Sequence, residues 1–253
     1  MQLLRRWMAG LLSLLVVLMA YAPAAQAADE SFIRFVHGSP DAPAVDVYVN
    51  GNLAFESLAF KTITAYVPTR IGAVLVQVVA HGAALTQGPA VLSTTVNTRA
   101  AGEYSVIAVG KLAKIAPMVL QDDNTIGNPA KSKMRLVHLS PDSPPIDIVS
   151  GQNDLTLFSN AVYKAATKYV EVEPAQYAFV IRPAGTSVNK LDVRGLNLDA
   201  ASVTTIYVFG LWSGVPKLSV GTSQDLRPQI ILPVTGGELE LSAHYLVRGM
   251  KAE

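Results

Sequence analysis

RFVHGSPDAPAVD, residues 34–46, and RLVHLSPDSPPID, residues 135–147, decide how this chain is read. Arg34, Val36, His37, Ser39, Pro40, Asp41, Pro43 and Asp46 recur as Arg135, Val137, His138, Ser140, Pro141, Asp142, Pro144 and Asp147, an offset of 101. Eight identities in thirteen positions make the chain a tandem duplication. After a two-residue insertion the match continues at an offset of 103, pairing Phe55 with Phe158, Tyr66 with Tyr169, Gly82 with Gly185 and Tyr104 with Tyr207.

Within the first copy the apolar period is mostly two, or a short continuous run, broken by turn residues every eight to twelve positions. SFIRFVH, AVDVYVN, LAFESLAF, TITAYVP, AVLVQVVA, AVLSTTVN, EYSVIAVG and APMVLQ read as strands, separated by SPDAP, NG, RIG, HG, GP and AAG. Asn50-Gly51 supplies the positive φ angles of a tight hairpin. So many short strands need two layers, because one flat sheet would leave an apolar face wet. The predicted fold is all-β, two tandem β-sandwich domains after a cleaved signal peptide, for which the family resemblance of the repeated motif implies the immunoglobulin-like form. Gly102-Glu103-Tyr104 fits the tyrosine corner of such sandwiches. The boundaries are a signal peptide over 1–27, a first repeat over 28–122, a linker over 123–132, a second repeat over 133–227 and a tail over 228–253.

The amino terminus has the three zones of an export signal: Arg5 and Arg6, the apolar run LLSLLVVLMA, and the small-residue site ending at Ala25 and Ala27. Cleavage there starts the mature chain at Ala28. It removes two of twenty basic residues and none of nineteen acidic ones, taking the formal charge from +1 to 18 − 19 = −1. The remaining lysines and arginines are scattered along the sequence without the basic stripe that nucleic-acid binding requires. With no cysteine, the exported chain has no disulfide, thiolate metal site or cysteine nucleophile, and its core alone must hold the fold.

The motif resembles the opening signature of the domain-of-unknown-function family 4397, close to V-H-x-S-P-D-A-P-x-V-D-V, found in bacterial secreted or surface proteins. Val36 to Val47 matches nearly throughout, and Val137 to Ile148 matches with departures at Ser143, Pro145, Ile146 and Ile148. The resemblance covers residues 31–225 and implies an immunoglobulin-like sandwich in an exported protein. It brings no activity, substrate or catalytic residue.

His37, Ser39 and Asp41 invite a hydrolytic reading. On an extended strand, residues two apart lie about 6.5–7 Å apart, whereas a base must stand about 2.6–3.2 Å from its nucleophile. Pro40 also keeps Ser39 extended, and there is no glycine-rich nucleophile elbow. The turn reading accounts for the same residues: Pro40 presets a type I turn, while Ser39 and Asp41 accept bonds from nearby amides. His37, in phase with Ile33 and Phe35, faces inward and bonds a loop carbonyl. His37, Ser39, Pro40, Asp41 and Asp46, with His138, Ser140, Pro141, Asp142 and Asp147, are therefore a structural turn motif, with no catalytic residue assigned.

No cofactor is expected, and His37, His81, His138 and His244 lack the short spacing of a zinc site. Asp122-Asp123-Asn124 could offer calcium clustered oxygens, but reads better as a solvated acidic turn. Leu232-Pro233-Val234-Thr235-Gly236 looks like a sortase signal cut between Thr235 and Gly236, yet the 17 residues from Gly237 carry too much charge to span a bilayer. The expectation is a non-enzymatic secreted, periplasmic or cell-surface protein, an interaction, adhesion or structural module of the envelope. Its partner is an unidentified extracellular or envelope protein or polymer, and it meets the membrane only through export or cell-wall anchoring. The alternative is an extracellular hydrolase using the motif's Asp and His residues.

Overall fold

The computed structural model describes residues 30–86, 88–151 and 154–225. The leader and the tail with Thr235 and Gly236 lie outside them. The chain forms two tandem immunoglobulin-like β-sandwiches.

The first repeat contains β1 (Glu30–Gly38), β2 (Val45–Val49), β3 (Asn52–Leu58), β4 (Val67–Arg70), β5 (Gly72–Ala80), β6 (Leu92–Thr98), β7 (Glu103–Val109) and β8 (Ala116–Asp122). A 3-10 turn at Leu112–Lys114 joins the last two. The second contains β9 (Ser132–His138), β10 (Ile146–Ser150), β11 (Thr156–Ala161), β12 (Val170–Val172), β13 (Ala175–Pro183), β14 (Leu191–Leu198), β15 (Val203–Phe209) and β16 (Ser219–Gln224). Sheet β4-β1-β7-β8 covers sheet β3-β2-β5-β6, and β12-β9-β15-β16 covers β11-β10-β13-β14. In each repeat the opening strand lies parallel to the seventh, Phe32 to Gly38 beside Glu103 to Val109 in the first.

Alternation on the strands explains the first core. Ile33 and Phe35 of β1, Val45 and Val47 of β2, and Val74, Val76 and Val78 of β5 point between the sheets and are buried. Each such side chain contributes about 1.5–3 kcal/mol over its exposed state. Asn50 and Gly51 have φ angles of 50° and 81°, as a primed hairpin turn demands. Tyr104 Oη accepts a bond from the Arg99 amide at 3.2 Å. A Cβ at residue 102 would stand 2.7 Å from the Tyr104 ring, so the glycine there is a packing requirement.

Two details correct the sequence reading. TITAYVP is not a strand over its whole length: β4 begins at Val67 and continues through Arg70. Before it, Thr64 Oγ1 accepts the Phe35 amide at 2.9 Å, so a side chain takes the place of a ladder carbonyl. The pairing of Tyr104 with Tyr207 is also wrong. Arg34 lies opposite Ser105, and Arg135 lies opposite Thr205. Tyr104 therefore corresponds to Thr204 and Tyr207 to Ile107, because the offset falls to 100 before β15.

β7 and β15 are buried along their entire length. Such near-continuous apolar runs belong to strands covered on both faces, and the second cover is the other repeat. Val36, Ile107 and Val109 of the first repeat pack against Val137, Leu139, Tyr207 and Phe209 of the second in a third core. The Tyr207 and Phe209 rings stack at 5.7 Å, and Phe60 meets Phe209 edge-on at 5.9 Å.

Candidate functional site: the repeated motif and a buried charge cluster

The motif residues sit where β1 and β9 leave their sheets. His37, Ser39, His138 and Ser140 are fully buried. His37 Nε2 lies 3.0 Å from the Pro43 carbonyl, and Phe60 presents its edge 6.4 Å away. His138 Nδ1 accepts the Ser140 amide at 3.4 Å, beside Tyr163. Burial lowers the pKa of both imidazoles, that of His138 to about 4, with the Pro144 carbonyl offsetting part of the effect without a normal hydrogen bond. Both rings are thus held neutral near pH 7.

The aspartates reach farther than turn chemistry alone suggests. Asp41 Oδ1 accepts the amide of Leu112, 71 residues away, at 2.7 Å. Asp142 accepts the amides of Trp212 at 2.6 Å and Ser213 at 3.1 Å. The expected local bonds to Ser39 and Asp41 in the first repeat give way to a tie between the opening turn and the loop after β7, and Ser39 Oγ makes no hydrogen bond. Asp46 accepts the amides of Ser57 at 2.7 Å and Gly82 at 3.0 Å, with His81 Nδ1 at 2.9 Å. Burial opposes its ionisation, but these donors outweigh it and hold the carboxyl below the ordinary range. Asp147 repeats the pattern with Asn160 at 2.7 Å and Gly185 at 2.9 Å. The structure does not bring His37, Ser39 and Asp41 together as a hydrogen-bonded triad, since His37 turns to Pro43 and Asp41 to Leu112.

Between the repeats lies a cluster that the sequence did not reveal. Arg34 projects from β1 opposite to Ile33 and Phe35, and Arg135 does the same from β9; both are buried. Arg34 donates from Nε to Ser105 Oγ at 2.7 Å and from Nη1 to Ser223 Oγ at 2.9 Å and Asp225 Oδ1 at 2.5 Å. Arg135 donates to Thr205 Oγ1 at 3.0 Å and to Asp122 Oδ1. Each arginine thus pairs with the aspartate that closes the other repeat. Ser105 and Tyr66 each donate to Asp122 Oδ2 at 2.6 Å, and Thr205 and Ser223 donate to Asp225. Arg34 stacks over Tyr66 at 4.6 Å and Arg135 over Tyr169 at 4.8 Å.

This arrangement corrects the reading of Asp122-Asp123-Asn124 as a solvated turn. Asp122 ends β8 with its side chain fully buried and satisfied by Arg135, Ser105 and Tyr66. Asp123 faces Lys133 Nζ at 2.7 Å, and Asn124 donates to Tyr66 Oη at 3.2 Å. Among the described residues no three histidine, aspartate or glutamate side chains converge as metal ligands.

Two sandwiches, each braced by aspartates on main-chain amides and joined to the other by exchanged arginines, define a tandem-repeat β-sandwich protein. The chain belongs to the family described as Domain of unknown function (DUF4397), whose profile matches residues 31–149 and 132–228. No curated protein matches the sequence. Among solved structures, the C-terminal domain of AlgF from P. aeruginosa aligns at 17% identity and a TM-score of 0.30, covering 38% of this chain and 98% of that domain. The family CBM26 module CBMbc of Eubacterium rectale Amy13K, solved with maltoheptaose, aligns at 12% identity and a TM-score of 0.27, covering 79% of this chain and 98% of the module. Superpositions at this level assign neither a ligand nor a reaction.

Proposed function

We propose that this chain is a non-enzymatic exported module of the cell envelope that binds a partner or bears structure there. One observation carries the reading: the carboxylates of the repeated motif are spent on main-chain amides, and its histidines are enclosed by strand ends and loops. A general base works on a nucleophile or water that it can reach; here the histidines are shut off from solvent and each aspartate holds the main-chain amides of a bend. The export signal supplies the compartment, and no helix among the described residues is long and apolar enough to cross a membrane.

Alanine at Asp41 and at Asp142 tests the reading. Loss of the Leu112 bond is expected to cost about 1 kcal/mol, and loss of the Trp212 and Ser213 bonds about 1–3 kcal/mol. Thermal melting should fall by a few degrees in each variant, while crosslinks to envelope neighbours persist. Turnover of an extracellular polymer by the native protein, abolished in both variants while they stay folded, would establish the hydrolase instead.

A further inference from the structure

Four loops carry one short pattern, an exposed apolar residue two positions before a lysine: Leu112-Ala113-Lys114, Val162-Tyr163-Lys164, Val188-Asn189-Lys190 and Val215-Pro216-Lys217. The apolar members are 41%, 47%, 68% and 84% exposed, and the last two exceed every other described large hydrophobic residue. In the sequence these loops are spread from Leu112 to Lys217. The fold gathers them at one pole, beyond the ends of β1 and β9.

The hydrogen bonds fix that placement. The amides of Lys61 and Lys164 donate to the carbonyls of His37 and His138, both at 2.9 Å. Leu112 is tied to Asp41, and Trp212 to Asp142. Ala184 donates to the Pro145 carbonyl at 2.8 Å, and Lys190 Nζ sits 4.8 Å above the Trp212 ring. A Cβ on Gly110 would come within 3.3 Å of Tyr163 Oη, so the loops of the two repeats adjoin. Glu30 and Asp225, where the described chain begins and ends, are at the other pole with the charge cluster.

Five lysines, Lys111, Lys114, Lys164, Lys190 and Lys217, lie in these loops and a sixth, Lys61, in the loop after β3, and none makes an ion pair among the described residues. The loop carboxylates are Asp41 and Asp142, each holding a main-chain amide; Asp46 and Asp147, just inside the strands, are likewise engaged, and Asp192, second in β14, is the exposed carboxylate beside Lys190. Lys61 and Lys164 occupy equivalent left-handed positions, φ 74° and 63°, where glycine or asparagine would be less strained. Both repeats nevertheless place a lysine there.

We infer that this pole docks on an anionic phospholipid bilayer, with the lysines meeting headgroup phosphates and Leu112, Val162, Val188 and Val215 entering the headgroup boundary. Apolar tips alone would suit a protein partner, and lysines alone any polyanion. Their pairing on loop after loop suits a surface that is charged outside and oily just beneath. The inference rests on the binding-module reading and names its partner. It also adds a membrane contact beyond the export and anchoring that the sequence suggested.

Trp212 provides the reporter, because the chain has two tryptophans and Trp7 lies in the predicted leader. Protein beginning at Ala28 is mixed with phosphatidylcholine vesicles with and without phosphatidylglycerol. Sedimentation with the anionic vesicles alone is expected, weakening as salt rises, together with a blue shift of Trp212 emission and its quenching by brominated lipid. Replacing Lys164 and Lys217 by glutamine should weaken binding about thirtyfold, roughly fivefold per lysine. Val188→Asp with Val215→Asp should abolish it, while the melting curve stays unchanged because both valines are exposed.

No binding at low salt overturns the inference, as does binding that leaves Trp212 unshifted or is indifferent to the valine changes. Equal retention of native and valine-substituted protein on a soluble polyuronate, without vesicle binding, assigns the pole to an acidic polysaccharide instead. These failures leave the non-enzymatic module standing, whereas turnover lost in the Asp41 and Asp142 variants removes the module itself.

Discussion

Asp122→Ala is expected to destabilise the protein by about 3–5 kcal/mol, lowering its melting temperature by about 6–20 °C. The substitution leaves the Arg135 guanidinium buried without its counter-charge and removes the acceptor for Ser105 and Tyr66. Arg34, 3.7 Å from the same carboxylate, loses part of its compensation too. Asp123→Ala, one residue along, is the control. That carboxylate is 59% exposed beside Lys133, and an exposed pair contributes less than about 1 kcal/mol. A thermal melt of the two variants should separate them widely, and similar melting points would show that the buried network is not what holds the repeats.

Acid should weaken the fold well above the carboxylate range. In the unfolded chain His138 takes a proton near pH 6.5, but in the folded protein burial postpones this to about pH 4. Between those values the unfolded state binds more protons, so stability falls as pH drops through the interval. The loss from His138 alone is on the order of 3 kcal/mol, reached by pH 4, and His37 acts in the same direction. Asp46, depressed in the fold, adds its own loss below the ordinary carboxylate pKa. Urea unfolding between pH 7 and pH 4 should show this slope, and His138→Phe should flatten it even if it lowers stability at pH 7. A variant that keeps the full slope would mean that His138 does not titrate in the way its burial requires.

Much of this architecture was legible in the sequence because strand alternation and duplication are local signals. The offset of 101 located both opening strands, and the phase of His37 with Ile33 and Phe35 put the imidazole toward the inside. The contacts between repeats were not legible. Arg34 and Arg135 recurred in the motif, but nothing local says that the polar face of a strand will be covered by a second domain. The clue was the continuous apolar character of β7 and β15, VIAV and TIYVF, which one sandwich would not require. Asp122 looked solvated because it sits in a polar run beside the exposed Asp123, and its partner Arg135 comes from the next domain. The scattered lysines gave no stripe because loop ends, not sequence neighbours, define the pole on which they meet.

The duplication also explains the reciprocity of the charge cluster. Each repeat offers one arginine on its opening strand and one aspartate at its close, and the near-symmetric packing of like sheets lets each arginine reach across. Domains joined by a linker move independently unless their interface is large and apolar. Here the third core and the exchanged arginines act together.

Differential scanning calorimetry tests that claim most directly. The native protein should unfold in one transition whose calorimetric and van't Hoff enthalpies agree, and Asp122→Ala combined with Asp225→Ala should resolve it into two. Two independent transitions in the native protein, or one unshifted transition in the double variant, would contradict the account.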